Sequence, residues 1–258
     1  MPRGLPRGER GRVKRPLARL LYGAATAASR AILASYGRWE AVHHERVPAR
    51  GGVVLVSNHL NLLDPPLVAA SCRRRVHPMA KRELFELPLL GWMFRVYGAF
   101  PVRRYSADIG ALRAARNHLR SGDVVLMFPE GTRSAGAMRP ALPGAAMVAL
   151  LTGVPVVPVA ITGTEQIHVP GIVLRWLSRD RPRIRVEFGE PFTLPQVASG
   201  AHEAEAATDL MLRRVAALLP ERYRGAYGAG SEGRVVFARQ AGTPRAPADI
   251  DEGAPPAS

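Results

Sequence analysis

The stretch Val56-Ser57-Asn58-His59-Leu60-Asn61-Leu62-Leu63-Asp64-Pro65-Pro66 sets a histidine five positions before an aspartate, after an apolar run and before two prolines. A carboxylate against an imidazole fixes the ring tautomer and stabilises the imidazolium that forms when the ring takes a proton. No motif marks a nucleophile of the chain's own to go with the pair. His59 with Asp64 therefore suits a general base that deprotonates a hydroxyl supplied by a substrate. The same spacing also fits a loop histidine beside a helix cap, because Asp64-Pro65 is a helix-start signal. A residue before proline is pushed out of helical geometry, so a turn separates His59 from Asp64.

A second stretch, Met127-Phe128-Pro129-Glu130-Gly131-Thr132-Arg133-Ser134, again follows an apolar run. Proline stiffens the backbone and glycine frees it. Thr132 and Arg133 offer donors, and Glu130 a fixed acceptor. An arginine beside free backbone N–H groups at a strand end is a seat for phosphate. An ordinary glycine turn carrying a solvated Glu–Arg pair is the plain alternative.

The elements that position these residues are short. Val53–Val56 reads as a central strand opened by Gly51-Gly52, and a helix follows from Asp64 to about Arg74. Strands are expected over Val76–Ala80, Gly98–Val102, Val124–Phe128, Val156–Ile161 and Ile184–Phe188. Helices are expected from a Ser106 cap to Arg120, over Pro143–Leu151 and over His202–Leu219. Alternating strands and helices imply an α/β sheet with helices on its faces. Residues 1–16 form a basic tail, 17–39 an amphipathic helix, 40–222 the globular domain, and 223–258 a Gly/Ala/Pro-rich tail.

The 258 residues fit one such domain with tails, and 47% apolar content excludes wholesale disorder. Of the 36 basic residues only Lys14 and Lys81 are lysine, and the net charge is +15. That arginine excess owes something to genomic composition, yet it suits a chain that meets phosphates on lipid or nucleic acid. Cys72, the single cysteine, excludes an internal disulfide and fits a reducing compartment. Arg30 interrupts the apolar run after the basic N-terminus. A helix lying on a membrane surface is thus favoured over a span or a cleaved signal. The uncharged run Pro140–Thr164 is broken by Pro143, Gly144, Gly153, Pro155 and Pro158 and reads as helix, turn and strand. His43, His44, His77, His118, His168 and His202 show no metal-ligand spacing. Arg73–Arg75 reads as a solvated helix end. Arg181, Arg183 and Arg185 would share a strand face, either meeting anionic lipid or simply exposed.

Taken together, Asn58-His59-x4-Asp64 and Phe128–Ser134 resemble the glycerolipid acyltransferase family, which includes 1-acylglycerol-3-phosphate acyltransferases. Gly98-Ala99-Phe100-Pro101-Val102-Arg103-Arg104 and Val154–Val159 are similar to two further family blocks, in the right order, and the likeness covers roughly residues 40–220. It implies a single mixed, mostly parallel sheet flanked by helices, with the amphipathic helix ahead of it. It implies that His59 is the base and Asp64 its orienting partner. Arg104, Glu130, Gly131, Thr132 and Arg133 would hold the phosphate and glycerol of the acceptor. Three positions depart from the pattern: Arg103 where many relatives have aspartate, Asn61 where many have serine, and Leu142 where many have lysine.

The resemblance further implies transfer of a fatty acyl group to a lysophospholipid, by default 1-acylglycerol-3-phosphate, giving phosphatidic acid. The donor would be a thioester of coenzyme A or acyl carrier protein, with no resident cofactor or metal. The enzyme would work at the cytoplasmic face of the cell membrane, as a peripheral or monotopic protein, with no nucleic-acid partner. The alternatives are another lysophospholipid or glycolipid acceptor, a thioesterase on the same scaffold, or a non-catalytic basic protein that binds membrane or nucleic acid.

Overall fold

The computed structural model describes residues 15–36, 38–103, 108–167, 182–195 and 201–231. Seven strands form one sheet: β1 (Arg38–Val42), β2 (Val53–Ser57), β3 (Val76–Lys81), β4 (Phe100–Val102), β5 (Val124–Met127), β6 (Val156–Thr162) and β7 (Arg183–Phe188), in the order β1-β7-β6-β2-β5-β3-β4. Among these described strands only the β6–β7 pairing is antiparallel. The sheet is therefore mixed and mostly parallel, as the family resemblance implied. β2 and β5 are buried at every position, which explains why they read as unbroken apolar runs rather than alternating ones.

The longer helices among the described residues are α1 (Arg15–Tyr36), α2 (Asp64–Ser71), α3 (Pro88–Val96), α4 (Ile109–Arg120), α5 (Gly144–Thr152) and α6 (Ala201–Leu218). α4 is amphipathic, burying Ala111, Ala115 and Leu119 at four-residue spacing. α5 is apolar almost all round because α4 and α6 pack against it and β2 lies beneath. α1 packs on α2. It is held by polar groups: Arg30 Nε donates to the Ala70 carbonyl at 2.8 Å, Val76 N–H to Tyr22 Oη at 3.0 Å, and Tyr97 O–H to the Ala25 carbonyl at 3.1 Å.

Several expectations need correction. The first helix ends at Tyr36, and Arg38–Trp39 belong to β1, an edge strand that pairs with β7 far along the chain. α3 was not foreseen, and α4 is capped by Asp108, which accepts from Ala111 N–H at 3.0 Å; Ser106 lies outside the described residues. α2 stops at Ser71, and Arg74 is no solvated helix end. Its guanidinium donates to the carbonyls of Pro48, Gly51 and Gly122, tying three loops together. Arg185 pairs with Glu40 and Glu187 instead of standing free. Tyr223 and Tyr227 are buried, so the chain stays packed past the point where composition turns to Gly and Ala. The Tyr227 hydroxyl accepts from Ala141 N–H.

Strand β6 ends at Gly163, whose φ is +87° and whose absent Cβ would lie 1.9 Å from the Arg183 carbonyl oxygen. The turn it permits carries Thr164 and Ile167, whose carbonyls both hold Asn61. Gly163→Ala should destabilise the fold by at least about 2 kcal/mol through left-handed strain and the clash, measured by urea unfolding at constant m-value.

Candidate active site

β2 and β5 are parallel neighbours with Val56 opposite Met127. Their C-terminal loops therefore leave the sheet side by side, and the two sequence blocks meet. Open α/β sheets bind ligands at this edge. Asn58 marks where the chain departs. Its Nδ2 donates to the Ile161 carbonyl at 2.9 Å and its Oδ1 accepts from Ile161 N–H at 2.8 Å. The side chain thus extends the β2–β6 ladder while the backbone turns away.

Beyond it, His59 Nδ1 lies 2.9 Å from Asp64 Oδ2. The same oxygen accepts from the N–H groups of Leu60 at 2.6 Å and Asn61 at 2.7 Å. Asp64 is wholly buried. It does not cap its helix: Leu63 occupies the cap position. Pro65 and Pro66 have no N–H, Asp64 N–H bonds the Asn61 carbonyl, and Leu67 N–H bonds the Leu63 carbonyl. With no orphan donors in that first turn, the carboxylate is turned back onto the loop and the imidazole. Asn61 closes the loop: its Oδ1 accepts from Leu63 N–H, and its Nδ2 donates to the Thr164 and Ile167 carbonyls.

The second block grips His59 from the other side. Glu130 Oε1 accepts His59 N–H at 2.9 Å and Oε2 accepts Arg139 N–H at 2.8 Å. Ser134 donates both its N–H, at 2.7 Å, and its hydroxyl, at 3.1 Å, to the His59 carbonyl. The Phe128 ring stacks on the imidazole with centroids 4.3 Å apart. Backbone, one ring nitrogen and one ring face of His59 are thus committed, which leaves Nε2 for chemistry. Glu130 is buried, and burial pushes its carboxyl up to about 7 against the opposing pull of the two N–H groups.

A cavity of about 470 Å³ opens beside His59. Gly131 and Arg133 line it with His59; Glu130 and Thr132 are not among its lining residues, and Asp64 stands behind the histidine. Arg104 lies outside the described residues. Lys81 and Arg103 also line the cavity, one at the C-terminal end of β3 and the other just past β4, strands that pair with Lys81 opposite Val102. Sequence reasoning gave neither a role. The available signal was that each closes a predicted strand on the edge where His59 lies. Leu142 packs over Gly131, whose φ is +68° and whose absent Cβ would meet the leucine at 2.9 Å.

Fold and site together define an α/β protein with a histidine–aspartate pair at the carboxyl edge of a parallel sheet. The family described as Acyltransferase matches residues 39–162. The 1-acyl-sn-glycerol-3-phosphate acyltransferase of Bacillus subtilis is 31% identical over 137 residues, covering 53% of this chain and 68% of that protein. The Streptococcus pneumoniae enzyme of the same name is 30% identical over 146 residues, 56% of this chain and 51% of that one. A chloroplastic counterpart from Brassica napus is 35% identical, over 46% of this chain and 35% of its own length. The crystal structure of the 1-acyl-sn-glycerophosphate acyltransferase from Thermotoga maritima superposes with a TM-score of 0.60 at 25% identity, covering 81% of this chain and 83% of that one. This chain belongs to the glycerolipid acyltransferase family.

Glu130→Gln supplies one acceptor and turns an NH₂ toward an N–H, so one backbone bond is lost. Removing a buried partner costs about 1–3 kcal/mol. In the wild type the folded carboxyl titrates near 7 and the unfolded one near 4.5. The unfolded chain therefore releases its proton first, and the contribution of Glu130, fully present below about pH 4.5, is lost as pH rises through 7. The melting-temperature gap between wild type and Glu130→Gln should be widest at pH 4.5 and narrow by pH 8.

Proposed function

We propose that the protein transfers a fatty acyl group from an acyl thioester to the hydroxyl of a lysophospholipid, with 1-acylglycerol-3-phosphate as acceptor and phosphatidic acid as product. The observation that carries this reading is the composition of the cavity beside His59. Its walls are mainly apolar, with Met79, Phe94, Val102, Leu112, Met127 and Met147, while the cations Lys81, Arg103 and Arg133 outnumber the one lining carboxylate, Asp108. An acyl chain fits the first set and a phosphate the second. The names of the Bacillus and Streptococcus relatives support the same acceptor.

In this mechanism Nε2 of His59 removes the proton of the acceptor hydroxyl as its oxygen attacks the thioester carbonyl. Asp64 stabilises the imidazolium that results. When the tetrahedral intermediate collapses, the C–S bond breaks and the imidazolium returns the proton to the departing thiolate. Arg104 belongs to the phosphate-binding set by family resemblance. Glu130 contributes by fixing the histidine backbone, and Thr132 stays in the acceptor-binding set by family resemblance. The donor is a thioester of coenzyme A or acyl carrier protein, and the chemistry calls for no resident cofactor.

We assign the site of action to the cytoplasmic membrane surface, with peripheral attachment. No helix among the described residues is long and apolar enough to cross a membrane. α1 nonetheless exposes Leu17, Leu20 and Ile32, and Leu87 and Trp92 stand exposed at α3, which packs against α1. Apolar side chains of this kind suit burial at a lipid interface.

The deciding experiment follows thiol release from palmitoyl-coenzyme A by detergent-solubilised protein, with and without lysophosphatidic acid, and identifies lipids by mass spectrometry. Phosphatidic acid formed by the wild type and absent with His59→Ala supports the reading. Thiol release without acceptor marks a thioesterase instead. In Asp64→Asn the Leu60 and Asn61 N–H groups hold the amide oxygen where Oδ2 was, so Nδ1–H keeps its acceptor and only the charge is lost. Turnover should fall on the order of 100-fold, short of the roughly 10⁴-fold seen where substitution also reverses the tautomer.

Lys81→Met and Arg133→Ala should each raise KM for lysophosphatidic acid about tenfold, the worth of one charge-assisted hydrogen bond. KM for an acceptor without phosphate, such as monoacylglycerol, should hardly change. Equal effects on both acceptors would sink their assignment to the phosphate.

A further inference from the structure

The sequence spacing of the histidines gave no metal site, yet the fold brings two of them to one carboxylate. His77 comes from the start of β3, His118 from the last turn of α4, and Asp123 from the turn before β5. One ligand atom from each lies within 4.8 Å of the others. They sit at the N-terminal edge of the parallel strands, opposite His59. Asp123 is roughly 13 Å along the strand from Met127 at the cavity, so the cluster is separate from the catalytic site.

We propose that His77 Nε2, His118 Nδ1 and an Asp123 carboxylate oxygen form a site for a divalent transition metal of the zinc class, with water completing the coordination.

Distance is the first support. Asp123 Oδ2 lies 2.9 Å from His118 Nδ1 and 3.7 Å from His77 Nε2. These values bracket the ligand–ligand edge of about 3.3 Å in a tetrahedron with zinc bonds near 2.0–2.1 Å. The second is the tautomer. His77 Nδ1 is 2.8 Å from the Gly98 carbonyl oxygen, so Nδ1 carries the hydrogen and Nε2 the lone pair. A backbone carbonyl on the far nitrogen is how metal-ligating imidazoles are oriented. That bond depends on glycine: Gly98 has φ +66°, and a Cβ there would meet Nδ1 of His77 at 2.8 Å.

The third support is rigidity with access. The His118 ring stacks with His77, at 4.2 Å, and with Phe100, at 5.5 Å. The His77 side chain is only 8% exposed, but His118 at 30% and Asp123 at 37% leave a path from solvent. Two features oppose tight binding. The stacked rings aim their lone pairs side by side, so His118 must rotate slightly and carry its hydrogen on Nε2. Arg75, held over the Tyr22 ring with a nitrogen beside Gly98, adds a nearby positive charge. Micromolar affinity is therefore expected.

An ion here would pin the last turn of α4 to the starts of β3 and β5. The same three elements supply Leu112, Lys81 and Met127 to the cavity, so occupancy would stiffen its walls from behind without entering the reaction.

Untagged full-length protein, stripped with a chelator, is titrated with zinc by calorimetry and with cobalt by visible absorption. One equivalent of zinc should bind and raise the melting temperature by several degrees, with cobalt giving a tetrahedral spectrum. His118→Phe keeps an aromatic ring in the stack and should abolish binding. Asp123→Asn should weaken it at least tenfold, while His43→Ala, on an exposed loop, should not change it. Circular dichroism of each metal-free variant checks folding. A wild type that binds no zinc at submillimolar concentration, or a folded His118→Phe that binds as the wild type does, overturns the assignment.

Discussion

The candidate active-site edge depends on one oxygen atom. Asp64 Oδ2 accepts from the His59 ring and from the N–H groups of Leu60 and Asn61, and its residue is wholly buried. A buried carboxylate is costly unless its charge is matched by donors. Here all three converge on Oδ2, while Oδ1 has no hydrogen-bond partner among the described residues. The charge is thus concentrated at the atom facing the imidazole. A turn that could not aim two backbone N–H groups at that point would leave the carboxylate uncompensated, and the histidine would lose its orientation with it. The fixed five-residue spacing follows from this geometry: the loop must be long enough to reverse and short enough for its own amides to reach the carboxylate.

The second requirement is that this loop stay still, and distant parts of the chain supply the restraint. Glu130 and Ser134 hold the two backbone groups of His59, Asn58 binds it to β6, and Asn61 binds it to the turn after Gly163. Each anchor is a short polar side chain satisfied by backbone, so none needs solvent and all can be buried. Glu130 departs most from the role implied by resemblance. With both oxygens engaged on backbone N–H groups, it would bear on the proposed chemistry through the position of His59. A buried carboxyl with a raised pKa often signals an acid or base, but here the geometry gives it a positioning task.

Much of this was legible in the sequence, for identifiable reasons. Continuous apolar runs such as Val53–Val56 and Val124–Phe128 announce buried parallel strands, and Gly or Pro punctuates their ends. What the sequence hid was non-local. β1 reads as the tail of a helix because its strand character comes only from β7, more than a hundred residues later. Asp64 read as a helix cap as well as the partner of His59 because Asp-Pro is the cap signal; that Pro65 and Pro66 leave nothing there to cap is a consequence of the same residues drawn one step further. His77, His118 and Asp123 have no motif spacing because they are gathered by strand order, with β5 lying between β2 and β3.

Strand order also explains how positive charge persists in the cavity when family positions change. Leu142 stands where many relatives carry lysine, and it packs over Gly131 as part of the apolar wall. Arg103 stands where many carry aspartate, so the wall formed by the ends of β3 and β4 gains positive charge as the wall near Gly131 loses it. Lys81 and Arg103 close paired strands, and both face the same cavity as Arg133. A phosphate is bound by the sum of nearby charges and donors, with little dependence on which loop supplies them. Moving a cation from one wall to another therefore preserves attraction for an anionic head group while shifting where its phosphate rests relative to His59. Under the proposed mechanism the reacting hydroxyl must still reach Nε2, so that shift would bear on which glycerol-derived acceptors align for attack, and the β3–β4 wall would be the part of the site most directly tied to acceptor choice.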